Sequence, residues 1–215
     1  MFGTDLAALF FVCLIVLTIL IAAEFGRHKK WFSNELGRKS VHITVGTFVA
    51  FWPLFLSWNY IVILSAAFIV IIGISRYVGI FNVIHSVQRP TWGEVYFAFT
   101  VGLLAFVTQN GWVYMAALLH MALADGLAAV VGVEFGKRTS YKIFGHTKSL
   151  LGSFTFFAVS VAIISGYSIA NDVTLMPVVF AGIAIVATLL ENISPKGIDN
   201  LTVPLWVAFA LTQLT

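Results

Sequence analysis

The chain has 215 residues, of which 60% are hydrophobic and 10% are charged, and its formal net charge is +3. An ordinary soluble domain carries about 25% charged residues, so this composition, with a mean hydropathy of +0.99, excludes a soluble globular protein and indicates an integral membrane protein surrounded by lipids. The small basic excess requires no nucleic-acid partner, because membrane topology by itself collects basic residues on one side.

Eight apolar segments are candidates for membrane spans, which require about 20 apolar residues, or somewhat fewer where flanking side chains reach the interface. Lipid offers the backbone no hydrogen-bond partners, and these segments lack the alternation of barrel strands, so each is expected to be helical. We therefore predict one all-α domain, residues 1–215, that forms a polytopic transmembrane helical bundle of about eight spans. The third, fourth and eighth segments are short, so seven spans with one re-entrant segment is the alternative. The segments cover residues 6–23, 41–56, 60–74, 95–107, 112–133, 150–170, 176–190 and 201–214.

The basic residues predict the orientation of this bundle. If the spans alternate, all twelve Lys and Arg residues fall in loops on one face, and the opposite loops SWNY, QNG and ANDVT have none. The positive-inside rule makes the charged face cytoplasmic and places the N-terminus outside. The first segment is followed, not preceded, by basic residues, the reverse of a secretory signal peptide, so it is expected to be a retained span. The absence of targeting features favours a prokaryotic plasma membrane. The basic loops cover residues 24–40, 75–94, 134–149 and 191–200.

An aspartate interrupts the fifth apolar segment, in the stretch HMALADGLAAVVG. At about 1.5 Å per residue from Trp112, Asp125 lies roughly 20 Å below the outer boundary of a hydrocarbon layer about 30 Å thick, which is its cytoplasmic half. A carboxylate there costs at least about 2.5 kcal/mol unless it faces a polar cavity, a cation or another partner. The nearby Gly126, Gly132 and Gly136 allow helices and ligands to approach the backbone closely. This pattern favours a functional aspartate over one that only bonds helices together.

Other polar side chains are predicted at the same membrane level, at the cytoplasmic ends of the remaining spans. Carboxylates together with an asparagine form a hard-oxygen site that suits Mg²⁺, which takes one or two carboxylates along with phosphate oxygens and waters. The group comprises Arg38, Lys39 and His42 at the start of the second span, Glu94 at the start of the fourth, Glu191 at the end of the seventh, and Asp199 and Asn200 at the start of the eighth.

A basic, hydroxyl-rich stretch, GKRTSYKIFGHTKSLLGS, leads into the sixth span. Backbone N–H groups, the helix dipole, a lysine and two hydroxyls meet where this helix is expected to begin, which is the composition of a phosphate site. The stretch is not a Walker motif, because the glycine spacing differs and no strand is predicted before it. Metal-binding and phosphate-binding groups on one face indicate nucleotide chemistry on a membrane-dissolved substrate. The predicted phosphate-binding residues are Gly136, Lys137, Lys148, Ser149, Gly152 and Ser153, with Asn200 beside them.

Five short sequence blocks follow one another along the chain: RKSVH at 38–42, WGEVYF at 92–97, ADGLAAVVGVEFGK at 124–137, KSLLGS at 148–153 and IDNLTVP at 198–204. In this order they resemble the CTP-dependent lipid-alcohol kinases, a family that includes dolichol kinase, phytol kinase and the CTP-dependent diacylglycerol kinase and is related to the CDP-diacylglycerol synthases. The resemblance covers residues 36–204 and implies transfer of the γ-phosphoryl group of CTP to the terminal hydroxyl of a long-chain alcohol, with Mg²⁺. Many relatives have an acidic residue where this chain has Leu151, so no metal or base role is carried over there.

The positions of the charges lead to a working mechanism. Asp125, Asp199 and Glu94 are expected to hold Mg²⁺, and the residues around Lys148 are expected to bind the triphosphate of CTP. Arg38 and Lys39 would neutralise the charge that develops during transfer, since phosphoryl transfer needs mainly alignment and electrostatic stabilisation. The base that deprotonates the alcohol is either His42 or a carboxylate. The apolar chain of the alcohol is expected between spans, beside some of the twenty Phe residues.

Two alternatives belong to other classes of protein. A phosphatidate cytidylyltransferase would attack the α-phosphate of CTP and release pyrophosphate. It is disfavoured because the Asp-Arg-x-x-Asp type of ending found in CDP-diacylglycerol synthases is missing, and GIDNLTVP stands here instead. A cation-coupled transporter would use Asp125, His120 and Glu191 as a relay, but such a protein is expected to show an internal repeat and polar groups reachable from both sides.

Overall fold

The computed structural model describes residues 2–81, 83, 92–173 and 176–214. Within these residues it contains eight α-helices, and each of the eight predicted apolar segments overlaps one of them, although the second segment, 41–56, extends six residues beyond the end of its helix. Arg89 and Thr174, which belong to the predicted loops, lie outside the described residues. The helices are α1 (Phe2–His28), α2 (Asn34–Ala50), α3 (Trp58–Val78), α4 (Gly93–Val107), α5 (Gly111–Phe135), α6 (Leu150–Ala170), α7 (Pro177–Ile193) and α8 (Asp199–Thr212).

Helix length separates these elements into two groups. Four helices, α1, α3, α5 and α6, are long and apolar enough to cross a membrane, whereas α4 and α7 are shorter apolar helices. The protein is therefore an all-α integral membrane protein, and the count of eight spans with the N-terminus outside stays a prediction.

Helix α5 forms the centre of the bundle. Its most apolar part is 56% buried, against 11% for α1 at the periphery. The helix begins at Asn110, whose side chain accepts hydrogen bonds from the amides of Trp112 and Val113 at 3.0 and 3.2 Å, as expected of a good N-cap. It contacts α2, α6 and α8. The polar side chains of His120 and Asp125, in the middle of α5, are therefore buried among other helices.

One turn of α5, His120–Ala124, is π-helical and ends directly before Asp125. Such single wide turns are rare and frequently occur at functional sites. Within this turn the carbonyl oxygen of Met121 lies 2.8 Å from Nε2 of His42 on α2. The wide turn thus ties α5 to α2 at the level of Asp125.

A β-hairpin, β1 (Ser140–Ile143) and β2 (His146–Ser149), connects α5 to α6. The strands pair in register Tyr141↔Lys148, and their turn consists of Phe144 and Gly145, both at positive φ (46° and 79°). Positive φ at both central residues is the geometry of a tight hairpin turn, for which glycine is well suited. The sequence analysis did not predict this hairpin, which holds Lys148 and Ser149 immediately before α6.

The charged ends of the helices meet at one end of the bundle. Lys39 at the start of α2 contacts Asp125 on α5, Lys148 contacts Glu191 near the end of α7, and Asn200 on α8 donates to Gly93 on α4. These contacts bring together polar groups from five helices and the hairpin, while the predicted alternation of the spans stays a prediction. Which side of the membrane they face stays a prediction.

Candidate active site

Three carboxylates form the centre of the polar end. Asp125, Glu191 and Asp199 each present an oxygen, and these three atoms lie within 4.8 Å of one another. Asp125 and Glu191 are buried, and Asp199 is half-buried. Three like charges at this separation repel strongly in a buried site unless cations balance them. An oxygen-only set of this kind fits Mg²⁺, so the predicted use of Asp125 and Asp199 together is compatible with the geometry.

The chain turns sharply to bring Asp199 to this point. Lys196 and Gly197 both have positive φ, 54° and 89°, and α8 begins two residues later. Asp199 is therefore the first residue of its helix, where a carboxylate also interacts favourably with the helix dipole. Oδ1 of Asp199 accepts a hydrogen bond from the backbone N–H of Asn200 at 3.0 Å.

Two lysines supply part of the balancing charge. Nζ of Lys39 lies 2.6 Å from Oδ2 of Asp125, and both side chains are about one-tenth exposed. Lys148 forms an ion pair with the Glu191 carboxylate and also donates to the Glu191 carbonyl oxygen at 3.1 Å. Three carboxylates and two ammonium groups leave the cluster one negative charge in excess when all are ionised. This inner group by itself therefore favours a further cation, whereas the surrounding wall adds more cations than carboxylates.

The pKa of Lys148, in the hairpin, follows from the same arrangement. Burial lowers the pKa of this ammonium group, but the charges of Glu191, Asp199 and Asp125 raise it by more, so the net pKa lies above the ordinary value. Lys148 is therefore a stable cation at neutral pH.

His42 and Arg38 complete the cluster from one face of α2. Nε2 of His42 lies 2.8 Å from the Met121 carbonyl oxygen and 3.5 Å from Oδ2 of Asp125. Since a carbonyl oxygen only accepts, Nε2 carries the hydrogen, and Nδ1 is the acceptor of the neutral ring. Arg38 donates to Glu35 at 2.8 Å through Nη2, while its buried Nε has no hydrogen-bond partner among the described residues.

A cavity of about 460 Å³ opens above these residues. It also receives the hairpin residues His146 and Thr147, which the sequence analysis did not single out. All of the predicted site residues line it except Glu94 and Gly136. The predicted residues in its wall are Arg38, Lys39, His42, Asp125, Lys137, Lys148, Ser149, Gly152, Ser153, Asp199 and Asn200.

Glu94 is placed elsewhere. It forms an ion pair with Arg76 of α3 and lines a neighbouring apolar groove, outside the three-carboxylate cluster. Glu191 takes the position that the sequence analysis assigned to Glu94. Both residues have the same predicted depth, and only the rotation of their helices distinguishes them.

Three of the predicted phosphate-binding residues, Ser149, Ser153 and Gly136, make structural contacts. The amide of Gly152 donates to Oγ of Ser149 at 3.0 Å, so this hydroxyl caps α6. The hydroxyl of Ser153 bonds Oδ1 of Asn192 and the Tyr141 hydroxyl, each at 2.9 Å. Gly136 is buried against Ser149, where a side chain would collide with the hydroxyl. Ser149, Ser153 and Gly136 therefore hold the hairpin against α5, α6 and α7, and Lys137 and Lys148 are the cationic groups among the predicted phosphate-binding residues in the wall.

An apolar groove adjoins the cavity and runs along α2 and α4. Four residues belong to the walls of both spaces: Arg38, His42, Gly93 and Asn200.

His120 lines neither the cavity nor the groove. Its Nδ1 lies 2.7 Å from the Ala116 carbonyl oxygen, so His120 is separated from the relay with Asp125 and Glu191 that a transporter would need.

Fold and site together define a membrane-embedded helical protein with a buried cluster of carboxylates and lysines beside an apolar groove. The chain is 34% identical to phytol kinase of Synechocystis sp. over 197 residues, which cover 87% of this chain and 82% of that protein. It is 27% identical to probable phytol kinase 2, chloroplastic, of Oryza sativa subsp. japonica over 200 residues, 81% of this chain and 64% of that one. No family model and no solved structure matches the chain. The chain belongs to the family of lipid-alcohol kinases that includes phytol kinase.

Proposed function

We propose that this protein transfers the γ-phosphoryl group of CTP to the terminal hydroxyl of a long-chain isoprenoid alcohol, in the class of phytol, prenol and dolichol. The observation that carries the proposal is the cluster of Asp125, Glu191 and Asp199 with two lysines, in a cavity that shares a wall with an apolar groove. A phosphoryl donor and a lipid acceptor need this kind of junction. The kinase names of the two relatives support the reaction type, and the five sequence blocks support CTP as donor.

In this proposal Asp125, Glu191 and Asp199 hold Mg²⁺. A bound Mg²⁺ would supply positive charge against the negative charge that builds on the phosphates during transfer. The three side chains come from three different helices, and α5 is rigidly held at the bundle centre. Such a frame preorganises the ligands, which lowers the energetic cost of assembling the site.

Lys148, Lys39 and Arg38 bind and neutralise the phosphates of the nucleotide. Lys148 keeps its proton because its carboxylate neighbours raise its pKa above the ordinary value despite its burial. The buried Nε of Arg38, which has no partner among the described residues, is suited to an incoming anionic oxygen. These three cations surround the carboxylates, so donor phosphates and metal are held at one point.

His42 accepts the proton of the attacking hydroxyl through Nδ1. Of the four residues that line both the cavity and the groove, it is the one whose neutral side chain carries a basic ring nitrogen. Its Nε2–H is fixed by Met121, and Oδ2 of Asp125, 3.5 Å away, stabilises the imidazolium ion that results. A histidine oriented by a carbonyl and a carboxylate is the usual design of a general base.

Product analysis with purified protein tests the proposal. The protein in lipid nanodiscs is given Mg²⁺, γ-labelled CTP, ATP, GTP or UTP, and phytol, prenol, dolichol, diacylglycerol or phosphatidate. We expect labelled isoprenoid phosphate and CDP, with CTP as the preferred donor. Pyrophosphate and a CDP-lipid would replace the proposal with a cytidylyltransferase, and the absence of turnover with every nucleotide would refute an enzymatic function.

A further inference from the structure

The apolar groove beside the catalytic cavity is built from regular stripes of side chains. On α2 the stripe begins with Arg38 and His42 and continues away from the cavity with apolar residues at helical spacing. On α4 it begins with Gly93 and continues in the same direction. Because both helices start at the polar end, the groove changes from polar to apolar with increasing depth. The apolar stripes are Val41, Val45 and Val49 on α2, and Phe97, Ala98 and Val101 on α4.

Trp52, which follows α2 in a short 3-10 turn, lines the far end of the groove and is fully buried. Its indole Nε1–H has no hydrogen-bond partner among the described residues. From His42 to Trp52 the chain advances ten residues, which corresponds to about 15 Å at helical rise. The one hydroxyl that α3 contributes, that of Ser65, is satisfied internally because it donates to the Ala98 carbonyl oxygen at 2.6 Å. The deep part of the groove therefore offers an apolar chain no unpaired polar group from Ser65.

The mouth of the groove contains an oriented acceptor. Asn200 is 6% exposed, and its Nδ2 donates to the Gly93 carbonyl oxygen at 2.8 Å, which determines the direction of the amide. The other amide atom, Oδ1, is buried and has no hydrogen-bond partner among the described residues. An unpaired buried acceptor is costly, so a ligand with a hydrogen-bond donor is favoured at this point. An alcohol O–H supplies that donor.

We propose that this groove, walled by α1, α2, α3 and α4, binds the hydroxyl-proximal part of the apolar chain of the alcohol, and that Oδ1 of Asn200 accepts the hydrogen bond of its hydroxyl. The inference rests on the proposed function, and it adds the position of the alcohol substrate and the part of the protein that limits the length of its apolar chain. The hydroxyl hydrogen bonds Asn200 while the alcohol docks, and it rotates about the C–O bond to His42 for transfer. Its oxygen then bonds the γ-phosphorus as the bond to CDP breaks, and His42 receives the proton.

Chain length and head group are tested separately. Val49→Phe fills the deep groove, so kcat/KM for phytol is expected to fall about tenfold or more. Prenol, a single isoprene unit, ends short of Val49 and is expected to react at the wild-type rate. Asn200→Ala removes the acceptor at the mouth and is expected to raise KM for both alcohols by a similar factor. Val70→Phe, the same exchange at an exposed position on α3 outside the groove, is the matched control and should change neither.

Each outcome bears on one part of the inference. Equal losses for phytol and prenol in Val49→Phe, or an unchanged phytol reaction, would overturn the assignment of the groove while the kinase function stands. Failure of the wild type to phosphorylate either alcohol would instead refute the proposed function. If Val49→Phe does not yield folded protein, Val101→Phe places the same bulk on the opposite wall and has the same expected selectivity.

Discussion

Replacing Asp125 with asparagine separates the catalytic role of the carboxylate from its role in the fold. The exchange keeps the shape of the side chain but leaves the Lys39 ammonium, 2.6 Å away, without its charged partner in a site where both side chains are about one-tenth exposed. Breaking a buried ion pair costs about 3–5 kcal/mol. Glu191 and Asp199 are close enough to compensate part of this loss, so the lower limit, about 3 kcal/mol, is expected.

For a chain of this length that loss corresponds to a decrease in Tm of roughly 6–12 °C. The double variant Asp125→Asn/Lys39→Met removes both charges of the pair, and it should recover most of the lost Tm because neither partner is left without the other and the cluster returns to its wild-type net charge of −1. Both variants are expected to have no detectable kinase activity, since each lacks a proposed metal ligand. Thermal unfolding and phytol phosphorylation are measured on the same nanodisc samples. Near-normal turnover in the single variant, or no recovery of Tm in the double variant, would refute this account of the pair.

Three further predictions concern the base, the hairpin lysine and the helix crossing. In His42→Gln the new side chain can still donate a hydrogen bond to Met121 but cannot accept a proton, so kcat should fall by about 10²–10⁴-fold with little change in the KM for CTP. An unchanged kcat would exclude His42 as the base. Because the folded-state pKa of Lys148 is raised, its ion pair stabilises the protein below about pH 10, and this stabilisation is lost as pH rises through that pKa. The Tm of Lys148→Met should therefore fall less steeply in alkaline buffer than the Tm of the wild type. An equally steep fall would contradict the stabilising role of the ion pair. In Gly152→Ala the new Cβ would lie 3.0 Å from the Ala128 carbonyl oxygen, and the free energy of unfolding should fall by about 1–3 kcal/mol in a thermal unfolding assay. Gly166→Ala on the same helix has open space around the new Cβ and should not lower the free energy of unfolding.

The hydropathy of the chain determined the helices and the depth of the charged residues. A backbone in lipid must satisfy its hydrogen bonds within each segment, so an apolar run such as 112–133 or 150–170 is helical whatever its neighbours are. The concentration of charges at alternate segment ends likewise predicted that Lys39, Asp125, Lys148 and Asp199 meet, and the structure brings them together. The family followed from short motifs in a fixed order, and the comparison with phytol kinase confirms it.

The rotation of each helix about its axis was decided only by tertiary packing. Gly93 and Glu94 are consecutive, but about 100° apart on the helix, so Gly93 faces Asn200 on α8 while Glu94 faces Arg76 on α3. Depth along the membrane therefore could not distinguish Glu94 from Glu191 as a member of the carboxylate cluster, because segments this apolar show no clear polar face from which a rotation could be read.

Two local features also depend on contacts between elements. The π-helical turn before Asp125 leaves no mark on hydropathy, and the bond from His42 to Met121 that accompanies it joins residues 79 positions apart. The sequence signal for the hairpin was weak, since it consists only of two short alternating strands around Phe-Gly. The four-residue strands are held in place because Tyr141 and Ser153 bond to Asn192 on a helix that is distant in the sequence. Apolar length and charge placement are properties of one segment and can be deduced from it, whereas the side chains that face each other depend on how all the segments pack.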